Sequence, residues 1–295
     1  MKRLLATANA RAAAYLMVAN VVFVVLELLG KQLVAVEGMN PIQLLWVRAV
    51  ITMAALPIIL RVAPTRIVRT RHPGKQIARS LLLLVAGLGF FFSLQQVPLA
   101  DAVAIVFVSP LLVTAIAAVA LGEAVGWRRW AACGAGFLGA LLIVQPGMEG
   151  RHWMYALPLV DAACSAVYAV LTRIVGRDDP AWTSLFYSVA ATGLVLTLAM
   201  PWVWAWPDAM QWVMLVAMSA AGLVAHFCHI RAFSEGEASI MAPLTYIHVV
   251  FTTAAAYVVF GTLPDALALV GVGLIVASGL YVLHRETRRA AAPAA

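Results

Sequence analysis

Four charged side chains lie five or more residues from either end of long apolar stretches of this sequence, where an isolated charge is costly. Glu27 and Lys31 are four residues apart in one stretch, Arg48 lies in the next, and Asp161 follows much later. A carboxylate can take up and release a proton, and a guanidinium can bind a carboxylate or phosphate through paired hydrogen bonds. Charged residues at such depth are typical of an internal site that faces water or a partner charge.

The depths of three of these residues predict a common layer. Counted at the rise of an α-helix, Glu27, Arg48 and Asp161 each lie roughly 10 Å from an end of their stretch. We expect them to face one another in one half of a helical bundle, with the two acids available for proton coupling. Two structural alternatives stay open. Glu27 can pair with Lys31 along one helix face, or the whole layer can be an ion-pair lock that never touches a ligand.

Tyrosine and histidine side chains form a second set of candidates. They offer both a ring face and a hydrogen bond, which suits a planar or zwitterionic organic molecule. His226 and His229 stand at i and i+3, but no third residue with the spacing of a metal ligand accompanies them. No metal, no other cofactor and no catalytic residue is therefore predicted. The residues that we expect to bind the ligand are Arg48, Tyr168, Tyr187, Tyr246 and His248.

Ten apolar stretches must position these side chains, and each is close to the ~20 residues that a helix needs to cross a bilayer. Hydrophobic residues make up 64% of the chain and charged residues 11%, a composition that a soluble domain of this size cannot bury. The sequence therefore predicts an all-α integral membrane protein with ten transmembrane helices. The stretches are 12–36, 41–63, 77–97, 101–122, 129–146, 153–176, 181–204, 210–235, 238–261 and 265–283.

The basic residues predict the orientation of the chain. Of the 20 lysines and arginines, all but Lys31, Arg48 and Arg151 lie near the N-terminus, in or beside alternate gaps between the stretches, or in the C-terminal tail. By the positive-inside rule, both termini face the cytoplasm of a multi-pass protein in the cell (inner) membrane. The net charge of +7 is then explained by contact with anionic lipid headgroups rather than with nucleic acid.

The sequence also resembles itself. Phe90 to Val144 aligns without gaps with His229 to Leu283, which predicts two repeats of five helices, 1–147 and 148–295. Because five is odd, the second copy must enter the membrane from the opposite side, which gives inverted-topology repeats. Small residues at helical spacing in the fifth and tenth stretches predict a close helix contact. That contact lies either within a monomer or between the subunits of a homodimer.

One segment resembles a known family. It runs from Leu94 through Ser109-Pro110 to Ala120-Leu-Gly-Glu123, and a glycine-rich stretch that ends at Pro146 follows. This pattern is similar to the EamA-type members of the drug/metabolite transporter superfamily. The segment from Glu235 to Gly261 repeats it, with a threonine following where the family often has an acid. The resemblance implies a ten-helix fold and secondary transport of small organic metabolites, without enzyme activity.

The chemistry of the internal residues narrows the substrate. Arg48 favours a carboxylate-bearing or zwitterionic solute such as an amino-acid-derived compound, and we predict a gradient-coupled exporter of such a solute. Members of the resembling family handle several compound classes, so import of a vitamin or nucleotide-like metabolite, for example riboflavin or S-adenosylmethionine, stays open. A membrane enzyme acting on a lipid is a third alternative, but the gaps lack the paired acids that such an enzyme uses. The predicted partners are the small-molecule substrate and membrane lipids.

Overall fold

The computed structural model describes residues 2–60, 68–120, 127–145, 153–176, 178–235 and 244–291, and most of these are α-helical. The described residues form no β-strand, so the predicted all-α class is confirmed. The helices are α1 Lys2–Lys31, α2 Pro41–Leu60, α3 Pro73–Ser93, α4 Leu99–Val106, α5 Ser109–Ala120, α6 Trp127–Val144, α7 Leu157–Val175, α8 Ala181–Thr197, α9 Met200–Val203, α10 Ala209–Glu235, α11 Ile247–Phe260 and α12 Ala266–Ala291. A π-helical turn, Gln32–Val36, follows α1, and a 3₁₀ turn, Trp153–Ala156, precedes α7.

The described helices are long and apolar in the way that membrane spans are. Five segments are long enough and apolar enough to cross a membrane, by length and composition alone: Ala10–Val36, Pro41–Ile59, Pro73–Ser93, Trp153–Thr172 and Ala209–His229. The shorter apolar helices are Leu99–Val113, Trp130–Val144, Trp182–Thr197, Ile247–Phe260 and Ala266–Tyr281. Each predicted stretch thus contains helix, while ten crossings and their inverted arrangement stay predictions.

The outer faces of the bundle are apolar, as a lipid environment requires. Ile58 is 76% exposed, Val258 is 81% exposed and Trp202 is 82% exposed. Such side chains are normally buried in a protein surrounded by water, because apolar surface is driven out of water. The polar side chains described below lie instead inside the bundle.

The fourth apolar stretch forms two helices rather than one. α4 ends before a turn at Phe107, and α5 begins at Ser109. Pro110 in the first turn of α5 has no N–H with which to continue the hydrogen bonds of α4, which explains the interruption. The sequence alignment pairs Phe107 with Tyr246, which is likewise a turn residue directly before α11. The centroids of these two rings are 5.6 Å apart, so the two interruptions meet in space.

The helix contacts follow the sequence repeat. α1 packs along α10, and their counterparts in the second and first repeats, α7 and α3, pack along each other. Replacing each helix by its counterpart in the other repeat also converts the α2–α10 contact into the α8–α3 contact. In the α2–α8 and α6–α12 contacts, each helix packs against its own counterpart. A two-fold relation between repeats produces this pattern.

The α6–α12 contact uses the small residues noted in the sequence. A Cβ atom added to Gly139 would lie 2.7 Å from the backbone oxygen of Gly271, so only glycine fits there. These faces therefore pack within one chain, as one of the two alternatives predicted. The oligomeric state stays a prediction.

Several sequence-based expectations lie outside the described residues. These are the boundary between repeats at 147–148, Gly122, Glu123 and Pro146 of the first motif, and most of the second motif between 236 and 243.

Candidate functional site

Among the residues that the structure describes, two groups of hydrogen-bonded polar side chains lie close to the predicted site residues. The first, the Glu27 cluster, comprises Asn20 and Glu27 on α1 with His248 and Thr252 on α11. The second, the Arg79 network, joins the segment before α3 and the start of α3 to the end of α7 and the start of α8. Arg48 on α2 is hydrogen-bonded to neither group.

Glu27 is held by two side chains from α11. Its Oε1 lies 2.9 Å from His248 Nε2, and Thr252 Oγ1 donates to its Oε2 at 3.1 Å. The other ring nitrogen of His248, Nδ1, lies 3.2 Å from the backbone oxygen of Asn20. Each pair of residues shares a helix face, because the members are seven apart on α1 and four apart on α11. The spacing therefore brings all four to the seam between these helices.

Aromatic rings surround His248. Phe107, in the turn between α4 and α5, lies nearly parallel to its ring, with centroids 5.8 Å apart and an angle of 21°. Phe23 on α1 contacts the same ring edge-on and also contacts His226 and His229 of α10, at 5.1 and 6.1 Å. These contacts fix the orientation of an imidazole whose residue is only 6% exposed.

Arg48 has no hydrogen bond or ion pair with any residue that the structure describes, and its side chain is half-buried. Its Nε lies beside α10, where a Cβ atom added to Gly222 would come within 3.7 Å. His226, one turn further along α10, is close enough to feel the charge of Arg48. An unpaired guanidinium inside a membrane protein is costly unless water or a ligand solvates it. The arrangement can therefore receive an anion.

Asp161 on α7 lies near Glu27 rather than in an ion pair with Arg48. It is 7% exposed and accepts a 2.7 Å hydrogen bond from Ser165, one turn further along the helix. The charge of Glu27 acts on it electrostatically. The structure thus brings the two acids of the predicted layer together but shows no ion-pair lock between them and Arg48 in the described residues.

Lys31 does not pair with Glu27, so that sequence-based alternative is wrong. Its Nζ reaches away and donates to the backbone oxygens of Leu94 and Val97, directly after α3, at 2.5 and 3.0 Å. A cation is favourable there because the last carbonyls of a helix are unpaired and carry partial negative charge. Lys31 therefore caps α3 and does not belong to the predicted coupling layer.

Arg79 on α3 is 1% exposed, and each of its guanidinium nitrogens has a partner. Nε donates to Gln76 Oε1 at 3.3 Å, and Nη1 donates to Thr172 Oγ1 at 3.2 Å. Nη2 donates to the backbone oxygen of Ser184 and to Ser188 Oγ, the latter at 3.0 Å. One buried cation thus links three helices.

Asp179, in the segment between α7 and α8, completes the Arg79 network. Its carboxylate accepts hydrogen bonds from Thr70 Oγ1, from Gln76 Nε2 at 3.0 Å and from the backbone N–H of Arg71 at 3.0 Å. Burial acts to raise the pKa of Asp179, but these donors stabilise the charged form and hold its pKa below the usual value. The segment before α3 is thereby tied to the segment before α8.

Tyr168 and Tyr187 contact this network and not the Glu27 cluster, and their binding of a ligand together with Arg48 stays a prediction. The guanidinium of Arg79 lies 4.8 Å from the ring centroid of Tyr168. Tyr187 Oη donates to the backbone oxygen of Val68 at 3.0 Å. Two helical turns, roughly 10 Å, separate Tyr168 from Asp161 along α7. The sequence placed Tyr168 and Tyr187 on α7 and α8, and the structure adds that both lie on the side of the Arg79 network.

Tyr246 lies next to the Glu27 cluster, with Phe107 between it and His248. It is 6% exposed, and its hydroxyl has no hydrogen-bond partner among the described residues. That hydroxyl lies against Gly279 of α12, where no Cβ atom would fit. The aromatic ring, rather than the hydroxyl, is therefore the part of Tyr246 nearest the cluster.

Sequence reasoning missed Asn20, Thr252 and Phe107. A signal existed for the first two, since Asn20 shares a helix face with Glu27 and Thr252 shares one with His248. Phe107 gave none, because an aromatic residue in an apolar stretch normally belongs to the core. No group of three or more metal-ligating side chains occurs within the part of the chain that the structure describes.

A bundle of apolar helices with interrupted spans and an internal polar site is the architecture of a membrane transporter. The sequence model of the EamA-like transporter family matches residues 10–145 and again 152–283. The chain belongs to this family and is a transporter of small metabolites, not an enzyme. The resemblance noted in the sequence is confirmed.

Curated relatives carry several transport names. The chain is 28% identical to a riboflavin transporter of Rhizobium johnstonii, over 77% of this chain and 75% of the relative. It is 26% identical to an S-adenosylmethionine uptake transporter of Rickettsia bellii, over 75% and 76%. It is 30% identical to a pseudopaline exporter of Pseudomonas aeruginosa, over 68% and 70%. A solved crystal structure shares the fold with a TM-score of 0.63, at 18% identity, covering 95% of this chain and 99% of its own.

Proposed function

We propose that the protein is a gradient-coupled secondary transporter, in the inner membrane, of a small organic metabolite that carries a carboxylate. Arg48 binds the carboxylate, and the acids of the central region, Glu27 and Asp161, couple its movement to protons. The observation that carries the proposal is the half-buried guanidinium of Arg48, which no described side chain neutralises. A carboxylate supplies both the missing charge and two hydrogen-bond acceptors.

Export of an amino-acid-derived compound is the first direction that we propose, and a relative named as an exporter supports it. Uptake is the second candidate, because other relatives are named for uptake of S-adenosylmethionine and for riboflavin transport. The fold itself does not select a direction, since gradients and coupling determine net flux.

The proposed topology has ten crossings in two inverted five-helix repeats, with both termini in the cytoplasm. It is supported by the distribution of basic residues and by the helix contacts that exchange between repeats. Single cysteines at Arg69 and Met210 test it by labelling of intact cells with a membrane-impermeant reagent. Position 210 should react from outside and position 69 should not, and the reverse result would contradict the topology.

Counterflow into proteoliposomes tests the transport proposal. The probes are radiolabelled amino acids, S-adenosylmethionine and riboflavin, each offered with and without an imposed pH gradient. We expect saturable counterflow of a carboxylate-bearing probe, stimulated by the gradient and absent in Arg48→Ala. Counterflow of riboflavin alone, which has no carboxylate, would contradict the proposed substrate class. Cells that overproduce the protein should release the transported compound if the direction is export and accumulate it if the direction is uptake.

A further inference from the structure

His248 lies between two oxygen atoms, and that position fixes where its protons are. The backbone oxygen of Asn20, 3.2 Å from Nδ1, can only accept a hydrogen bond. Nδ1 must therefore carry a hydrogen. A neutral imidazole has a single N–H, so its Nε2 would be a bare lone pair facing Glu27 Oε1 at 2.9 Å. If Glu27 were ionised at the same time, two acceptors would oppose each other.

One additional proton removes this conflict. It sits either on His248 Nε2, giving an imidazolium and a carboxylate, or on Glu27 Oε1, giving a neutral imidazole and a carboxylic acid. The pair has zero net charge in both cases. We propose that Glu27 and His248 together form a one-proton site and that the proton they share is the coupling ion of transport. This inference rests on the proposed function, because it names the ion that drives it.

The surroundings make the site suitable for a proton rather than a larger cation. Thr252 Oγ1 donates a hydrogen bond to Oε2, the second carboxylate oxygen of Glu27, and the rings of Phe23 and Phe107 flank the imidazole of His248. The Glu27 side chain is 13% exposed and the His248 side chain is 7% exposed, so the carboxylate is the more exposed member of the pair. Three side chains, those of Glu27, His248 and Thr252, and one backbone oxygen are too few ligands for calcium or magnesium.

Several other ionisable groups face this pair from neighbouring helices. Asp161 of α7 feels the charge of Glu27, His229 of α10 feels the charge of His248, and Arg48 of α2 acts on His226. Lys31, on α1 itself, is turned toward the end of α3. Asp101 on α4, which packs against α11, accepts a hydrogen bond from Tyr155. Glu27 is the acid whose carboxylate faces His248 directly, at 2.9 Å from Nε2.

Proton loss has a structural consequence at this position. Without the shared proton, the Nε2 lone pair and the carboxylate repel each other, so α1 and α11 must separate or His248 must rotate. Its ring is packed against Phe107, and α11 begins directly after the turn at Tyr246. Deprotonation therefore disturbs the point where the two interrupted helices meet, which is where a change of conformation can start.

The proton site can be tested without any substrate. Nuclear magnetic resonance of ¹⁵N-histidine-labelled protein in nanodiscs follows His248, assigned by the signal that His248→Gln removes, from about pH 5 to pH 10. We expect a single titration step in the parent protein. In Glu27→Gln the amide N–H can donate to Nε2 and keep the geometry without a proton, so the step should disappear. His248 signals that do not titrate in the parent, or that titrate identically in Glu27→Gln, would overturn the proposal.

Accumulation at a clamped membrane potential tests the coupling. One proton per substrate supports about a tenfold accumulation ratio for each pH unit of gradient, and two protons about a hundredfold. With whichever radiolabelled probe shows counterflow, we expect the tenfold value for the parent and for Lys31→Gln. Glu27→Gln should keep exchange but lose accumulation. Retained accumulation in Glu27→Gln would overturn the proton site, whereas a titrating pair in a protein that moves none of the probes would contradict only the proposed function.

Discussion

The protein contains two arginines inside its helical bundle, and their surroundings are opposite. Arg79 is 1% exposed and donates from all three guanidinium nitrogens to side chains and backbone of neighbouring helices. Arg48 is half-buried and has no such partner among the described residues. The side chains are identical, so the difference lies entirely in what the fold places around them. A fully bonded arginine holds helices together, and an arginine left without partners is available to a ligand.

The same distinction separates Asp179 of the Arg79 network from Glu27. Asp179 accepts hydrogen bonds from three donors, and these stabilise its charged form. Glu27 instead faces a histidine across a helix seam, and in the proposed proton site the two share one proton. Alternating access requires both kinds of region. The Arg79 network must keep its helices together while the Glu27 cluster gains or loses a charge.

The largest expected effect is on transport by Arg48 variants. Arg48→Ala should lower the initial transport rate about 30-fold or more, because the substrate carboxylate would lose a desolvated charge partner, a loss of about 2–5 kcal/mol. Arg48→Lys should restore only a small part, because an ammonium cannot form the paired hydrogen bonds of a guanidinium. Initial rates in proteoliposomes measure both variants. Full activity in Arg48→Ala would remove Arg48 from the binding site.

Arg79→Ala is the matched substitution in the other region, and its effect should be on stability. It leaves buried oxygens of the network without donors, which costs about 3 kcal/mol and lowers the melting temperature in detergent by several degrees. Arg48→Ala is the control, since it removes no hydrogen bond and should melt as the parent does. Equal melting temperatures for the two variants would show that the arginines do not differ as described.

The lowered pKa of Asp179 predicts how the stability of the Arg79 network changes with pH. Its pKa is lowered in the folded protein, so its charged form adds stability above the ordinary aspartate pKa of about 3.9. That contribution is lost as the pH falls toward the lower folded value. Asp179→Asn should therefore be less stable than the parent near neutral pH, and the two should converge below about pH 4. Melting curves across this range would show the convergence, and a constant gap would contradict it.

Lys31 should give the smallest effect. Lys31→Met removes a cation from the end of α3 and is expected to cost about 1 kcal/mol of stability. Transport and its response to a pH gradient should be unchanged, because Lys31 does not contact the Glu27 cluster. A lost pH response in this variant would place Lys31 back in the coupling layer.

The sequence predicted the helices well because their signal is local. Apolar length defines each stretch, proline and glycine mark its ends, and family membership confirms the class. The interruption at Phe107 became clear only in the structure, where Pro110 in the first turn of α5 explains it. Its pairing with Tyr246 required the self-alignment as well as the three-dimensional contact.

The candidate site was predicted in part, for a physical reason. A charge in an apolar stretch reveals that a partner must exist, but not which one. Lys31 had two possible partners, a carboxylate one turn away and the end of another helix, and only the packing of α1 against α3 decides between them. Tyr168 was assigned to the correct helix, but its depth placed it beside Arg79.

The central claim is that a positive charge at residue 48 is accessible and is needed for transport. Arg48→Cys, in a background with Cys133, Cys164 and Cys228 replaced by alanine, should be inactive. Reaction with 2-aminoethyl methanethiosulfonate attaches an ammonium through a disulfide, and we expect it to restore part of the transport rate. The neutral methyl methanethiosulfonate should restore none. A thiol at position 48 that does not react, or equal recovery with both reagents, would contradict the account.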